Sequence, residues 1–372
     1  MTRRKSMSKL AAILGLAATL VLTSAPLATY GADDPPAVKA AAAGAQDALR
    51  KTIAQAAKEG EISYWDAVIQ PSTNNALAEG FRKYYGLPSS FKVNYSLSAT
   101  GALVTRVDQE FGAGRVTIDV VGIASLPWVH EKVRAGHVMK YDSPQYPAYK
   151  AAMEKGLGLD GYFAFNGAYL FVPMWSSDKL DFKSSSYKDV LGAVQPGRLT
   201  IGDASKSVTY LATYMAHRDV LGIDFFKELA AMKPVLALRS ELIASQLVTG
   251  QYQLTWSGMP TRAYQFNQKG GKLKFILPKE GVVLLPQAQF ITAKAPHPNA
   301  AKLWLDFVLS EEGQKIVVNG EALISGRSGF KSPLPEYAPP IDSLNVIKMD
   351  WAKISTADMS KARAEWVGMF NP

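Results

Sequence analysis

From residue 61 to residue 318 the chain alternates short β-branched or aromatic runs with amphipathic stretches of helical period, and this alternation limits the fold more than any other feature. Residues 62–65, 92–95, 117–123, 198–201, 252–256 and 273–277 read as strands. Residues 74–85, 101–111, 208–221, 224–232, 240–249, 259–268, 299–309 and 311–318 read as helices, and the Ala-rich segment 37–58 as an opening helix. Strand, helix and strand in succession form βαβ units, so an α/β chain built on a mainly parallel sheet is expected.

Two segments break the alternation. Between Tyr162 and Trp175, aromatic and small residues follow one another without helical period, and 281–285 with 288–292 form a second extended stretch. Two α/β halves joined by two extended passages describe a chain that crosses from one lobe to another and returns. The 372 residues suffice for two such units. The expected division is 60–165 plus 285–330 for the first lobe, 166–284 for the second, and 331–372 as a tail packing on a lobe.

Arg3, Arg4, Lys5 and Lys9 precede the uncharged run 10–22, which is followed by small residues up to Ala32. Basic, apolar and small regions in that order form a secretory signal peptide, here over 1–32 with cleavage between 28 and 32. Its removal takes the formal charge from +9 to +5, and the remaining basic residues are dispersed. A nucleic-acid partner loses its support. The absence of cysteine excludes disulfides, Cys-ligated zinc, iron–sulfur clusters and thiol nucleophiles. It also excludes the acylated cysteine that anchors exported lipoproteins, so the expected location is a Gram-negative periplasm.

The motif search points away from catalysis. Gly156, Gly158 and Gly161 match GxGxxG, but a helix-like segment precedes them and an extended one follows, the reverse of the dinucleotide-binding order, so a loop is expected. Beyond the expected signal segment SxxK occurs in four unrelated stretches, and His130, His137, His217 and His297 lack a second ligand at metal-binding spacing. No catalytic residue, metal site or cofactor is assigned.

Polar clusters recur where strands end and helices begin: Trp65-Asp66, Ser98 with Thr100, Ser125, Ser205-Lys206-Ser207, and Trp256-Ser257 with Arg262 in the following helix. Unpaired N–H groups at helix N-termini favour anions, and in open α/β sheets the ligand crevice lies at the carboxyl ends of the strands. Taken singly, each Ser or Thr is as well explained as a helix cap. Recurrence at successive strand ends makes them a candidate ligand set, with Ser98, Thr100, Ser205 and Ser207 as donors, Trp65 and Trp256 as walls, and Arg262 or Lys206 as charge partner.

Several ordered segments resemble the periplasmic solute-binding proteins of ABC importers, family 1, in its ferric-ion-binder-like branch. They are Ile62-Ser-Tyr-Trp, Ser98-Ala-Thr-Gly-Ala-Leu-Val-Thr-Arg, Ile118-Asp-Val-Val-Gly, Gly197-Arg-Leu-Thr-Ile-Gly-Asp, Leu247-Val-Thr-Gly-Gln-Tyr-Gln-Leu and the helix pair ending Ser310-Glu-Glu-Gly-Gln. The resemblance implies a two-lobed type II binding fold with two crossover strands and a ligand cleft between lobes. It further implies a monomer that captures a small-molecule solute and delivers it to an inner-membrane permease and its ATPase. Ferric binders of this branch place adjacent tyrosines after the strand corresponding to 252–256. Here Tyr264 stands without a neighbour, which points from iron towards an organic anion. Metal–anion capture, a periplasmic enzyme on the same scaffold, and a sensor adaptor are the alternatives.

Overall fold

The computed structural model describes residues 33–371, and the expected signal segment lies outside them. From Pro35 onward the chain forms one compact unit. It opens with α1 (Pro36–Ala40) and α2 (Gln46–Glu59), two helices where one is expected, because Ala41 adopts extended backbone (φ −73°, ψ 146°). Then follow β1 (Glu61–Asp66), α3 (Pro71–Tyr85), β2 (Lys92–Leu97), α4 (Thr100–Ala113), β3 (Val120–Ile123), α5 (Leu126–Arg134), α6 (Lys150–Glu154) and β4 (Ala164–Tyr169). Helix α3 begins three residues earlier than its apolar period suggests, since Pro71 at the first position has no N–H to leave unpaired.

A second series comprises β5 (Val172–Ser176), β6 (Thr200–Gly202), α7 (Val208–Leu221), α8 (Ile223–Ala231), β7 (Val235–Ala237), α9 (Ser240–Thr249), β8 (Leu254–Gly258), α10 (Pro260–Asn267) and β9 (Leu273–Phe275). The chain then returns through β10 (Leu285–Ile291), α11 (Pro298–Leu309) and α12 (Glu311–Glu321), and closes with α13 (Thr356–Phe370).

The first lobe is a five-stranded sheet in the order β2-β1-β3-β10-β4. β1 runs parallel to β2 and β3, whereas β10 is antiparallel to β3 and β4. In the second lobe β5 is antiparallel to both β8 and β9, and β6 is parallel to β7. A parallel bridge between Leu199 and Leu254 connects these two sheets. The sheets are therefore mixed, not mainly parallel. The passages between lobes reverse strand direction, so the βαβ rule holds only within each lobe's helical crossovers.

β4 belongs to the first sheet through Tyr169 and β5 to the second from Val172, so the crossover is Leu170-Phe171 and the expected boundary at 165/166 falls inside a strand. The tail touches both lobes. Trp351, Ile354 and Met359 close a small cavity against residues 124–127 and Val208, Ala212 and Met215, while the buried Trp366 on α13 sets its ring 5.2 Å from that of Tyr214 on α7.

Apolar burial holds each lobe separately. On the first, Trp304 of α11 packs 5.1 Å from Tyr64 and 5.2 Å from Phe81, ring to ring. On the second, Trp256 of β8 packs 5.4 Å from Phe226 and 5.3 Å from His217. Each such ring contributes about 1.5–3 kcal/mol or more by leaving water.

Candidate functional site

Strand register places the cleft. β1 and β2 pair Asp66 with Leu97 at their carboxyl ends, so the turns beginning at Ala67 and at Ser98 leave the sheet side by side. From the other lobe come the segments preceding α7, α9 and α10. Between them lies a cleft of about 470 Å³. Ala67, Val68, Gln70 and residues 97–101 line it on one side, and 206–210, 238–241, Met259 and Arg262 on the other, with Tyr169 and Phe171 at the crossover.

Helix starts dominate this lining. The N-cap positions of α3, α4, α9 and α10 are Gln70, Ala99, Arg239 and Met259, and none supplies a side-chain cap. First-turn N–H groups there lack the usual side-chain acceptor, and helix dipoles add partial positive charge. α7 differs: Ser207 Oγ accepts from the Tyr210 N–H at 3.4 Å. Lys206 and Arg239 add full charges. Both are exposed, and neither side chain has a hydrogen bond or ion pair within the described residues.

Five of the eleven expected ligand residues meet at the cleft: Ser98, Thr100, Lys206, Ser207 and Arg262. Arg262 arrives already engaged. Its Nη2 lies 2.7 Å from Glu241 Oε1, its Nε donates to Ser240 Oγ (3.1 Å) and its Nη1 to Gln265 Oε1 (2.5 Å). It therefore anchors α10 to the start of α9 rather than standing free.

The other six lie elsewhere. Asp66 is fully buried and accepts five hydrogen bonds, from Tyr64 Oη (2.5 Å), the Val68 and Ile69 N–H groups (2.7 and 2.8 Å), and the Gln287 and Gln289 amides (3.0 and 3.2 Å). It holds the 67–70 turn in place from beneath. A side chain at Gly122 would bring a Cβ within 2.0 Å of Asp66 Oδ2, so glycine is required there. Ser257 Oγ accepts from the Gly202 N–H (2.8 Å) and ties β6 to β8.

Trp256 is a core residue, 2% exposed, with Tyr187, His217 and Phe226 around it, and so forms no cleft wall. Trp65 is half-buried and carries the Arg106 guanidinium 5.4 Å from its ring centroid, outside the lining. Ser205 is buried, with its carbonyl accepting from Arg363 of α13, and Ser125 faces the small cavity under the tail. Position after a strand does not say which way a side chain turns, and in β1 alternate residues face opposite sides.

Residues without a sequence signal also line the cleft, notably Tyr169, Phe171, Tyr210, Arg239 and Glu241. The Phe171 and Tyr210 rings lie 4.3 Å apart, and Tyr210 covers Gly202, where a Cβ would come within 2.2 Å of it. Burial pushes both the Tyr169 and Tyr210 phenols up, so they remain neutral. The basic residue before Ser240 was the one available hint at Arg239, since a cation at a helix start runs against the helix dipole. Among the described residues, no group of three His, Asp or Glu side chains is arranged to hold a metal.

The sequence profile of the bacterial extracellular solute-binding proteins matches residues 67–319, more than half of the chain. The chain belongs to this family. No curated protein sequence matches it. Among solved structures, this solute-binding protein is similar to periplasmic AfuA from Actinobacillus pleuropneumoniae with fructose-6-phosphate bound, at 16% identity and TM-score 0.70, covering 84% of this chain and 98% of the other. It is also similar to the substrate-binding protein of an ABC transporter from Agrobacterium tumefaciens (15%, TM-score 0.70, 83% and 94%) and to iron-bound HitA from Pseudomonas aeruginosa (17%, TM-score 0.66, 83% and 99%). These likenesses bear out the two-lobed binding-protein fold.

Proposed function

We propose that this solute-binding protein captures a small organic anion, phosphorylated or carboxylated, in the periplasm and delivers it to the inner-membrane permease and ATPase of an ABC importer. The observation that carries the reading is the pair of unpartnered cations, Lys206 and Arg239, set at the starts of α7 and α9 on one wall of the cleft. An anion there would gain charge-assisted hydrogen bonds and the dipoles of several helices. Ser98, Thr100 and the α4 N-terminus would reach it from the facing wall on closure. A ligand touching both lobes only when they are shut shifts the population towards the closed form, and no bond of the solute need be broken.

A thermal-shift panel of inorganic phosphate, fructose 6-phosphate, succinate, citrate and ferric citrate tests the reading. A ligand at about a hundred times its dissociation constant should add about 2.7 kcal/mol of stability. Stabilisation by an organic anion, with the ligand recovered intact, is expected. Stabilisation by ferric ion alone, or turnover of the ligand, would overturn the proposal.

A further inference from the structure

Beside the cleft, a hydrogen-bonded chain runs from one lobe into the other. Glu321, the last residue of α12, is fully buried. Its Oε1 accepts from the Gln70 N–H (2.7 Å), at the turn that lines the first wall. Its Oε2 accepts from Gln265 Nε2 (3.3 Å) on α10 of the second lobe. Gln265 in turn accepts from Arg262, which holds Ser240 and Glu241 at the start of α9. A parallel link, Tyr264 Oη donating to the Asn319 carbonyl (2.9 Å), joins the same two helices. One carboxyl thus connects a lining segment of each lobe while touching the cleft itself at neither.

We propose that Glu321 is a positioning residue of the cleft, clasping the lobes together through Gln265 and setting how readily they part. Burial supports a proton-linked role. It pushes the Glu321 carboxyl up to about 7, against the opposing pull of a Thr73 hydrogen bond, the Gln70 N–H and Arg262. The charged and titratable groups facing it are Asp66 behind the 67–70 turn, which raises it further, Arg262 on α10, which lowers it, and Tyr95 on β2, whose hydroxyl donates to the Ile69 carbonyl. Parting the lobes admits water to the carboxyl and removes the cause of the upward shift. The clasped state therefore holds the proton more tightly, and lowering the pH through about 7 favours the clasp. The protonated form keeps the contact, because a carboxylic acid and a primary amide can each donate and accept.

The test needs no ligand, so its failure leaves the proposed function standing, and the reverse also holds. Because the chain has no cysteine, Lys83→Cys on α3 and Lys227→Cys on α8 can carry a fluorescent donor and acceptor at exposed positions of the two lobes. Energy transfer in the ligand-free protein, followed from pH 8 to pH 5.5, should rise as the pH falls. Gln265→Leu should raise the ratio of open to closed molecules roughly fivefold, the factor expected for one hydrogen bond. Gln265→Ala, which adds no bulk, is the second variant should leucine disturb packing. Glu321→Gln should keep the lobes together and abolish the pH response. Unchanged energy transfer in both Gln265 variants would overturn the clasp, and a surviving pH response in Glu321→Gln would overturn its proton linkage.

Discussion

The two walls of the cleft are built on opposite electrostatic plans. Among the lining residues, every charged side chain (Lys206, Arg239, Glu241 and Arg262) belongs to the second lobe, and 67–70 with 97–101 contribute none. The first lobe carries buried acids instead: Asp66 under the 67–70 turn, Glu321 at the end of α12 and, away from the cleft lining, Asp306 within α11. The second lobe thus displays charge where a ligand can reach it, and the first uses charge to brace its own turns. For the anion proposed above, this division would suit ordered capture, with long-range attraction to one wall and short-range hydrogen bonds from the other on closure.

The largest expected effect tests the bracing role. Asp66→Ala removes the acceptor of five buried donors, of which only the Gln289 amide has another, and at about 1–3 kcal/mol for each unsatisfied group the loss should exceed about 3 kcal/mol in denaturant melts. A loss of ligand affinity at unchanged stability would instead place Asp66 in the site. Next comes the displayed charge. Lys206→Ala combined with Arg239→Ala should weaken calorimetric binding of the panel's best anion by roughly a hundredfold, equivalent to about 2.7 kcal/mol. Little change would dissolve the contrast between the walls.

The hidden acids also predict a pH dependence. Burial pushes Asp306 up to about 7 despite hydrogen bonds from Ser143 and Tyr141, and Glu321 to about the same value. An acid with a raised folded-state value binds its proton more tightly when folded. Its contribution is therefore full below the unfolded value and is lost as pH rises towards about 7. Asp306→Asn should lose less stability than the wild type between pH 5 and pH 8 in parallel melts. The smallest effect belongs to the neutral wall: Ser98→Ala should weaken anion binding about threefold to tenfold, as one uncharged hydrogen bond would.

Much of the second lobe could be read before folding, because its helices carry local start or stop signals. α7 and α9 match their expected limits of 208–221 and 240–249. In α7 the signal includes a capping Ser207, and both helices stop at a glycine, Gly222 and Gly250. α5 and α13 went unread. Pro127 stands in the first turn of α5, a position that proline favours but that was not read as a helix start, and the Pro-rich run before α13 masks a helix that starts with a local capping box, Ser355 with Asp358. At the cleft, the lining positions Ser98, Thr100, Lys206, Ser207 and Arg262 could be anticipated because helix starts are local events. Trp65, Asp66, Ser125, Ser205, Trp256 and Ser257 sit at equivalent chain positions, yet their side chains turn into the core or another cavity.

The sequence by itself determined most of the element types, the two extended crossings and the polar chemistry of the strand ends. Period, caps and turn residues act over a few neighbours, so they are written locally. Tertiary structure alone decided which strand ends face one another, that Arg262 spends its guanidinium on Glu241, Ser240 and Gln265, and that Glu321 meets Gln70 and Gln265 across 251 and 56 residues of chain. Such partnerships depend on strand register and lobe packing, which bring together groups that no local pattern relates.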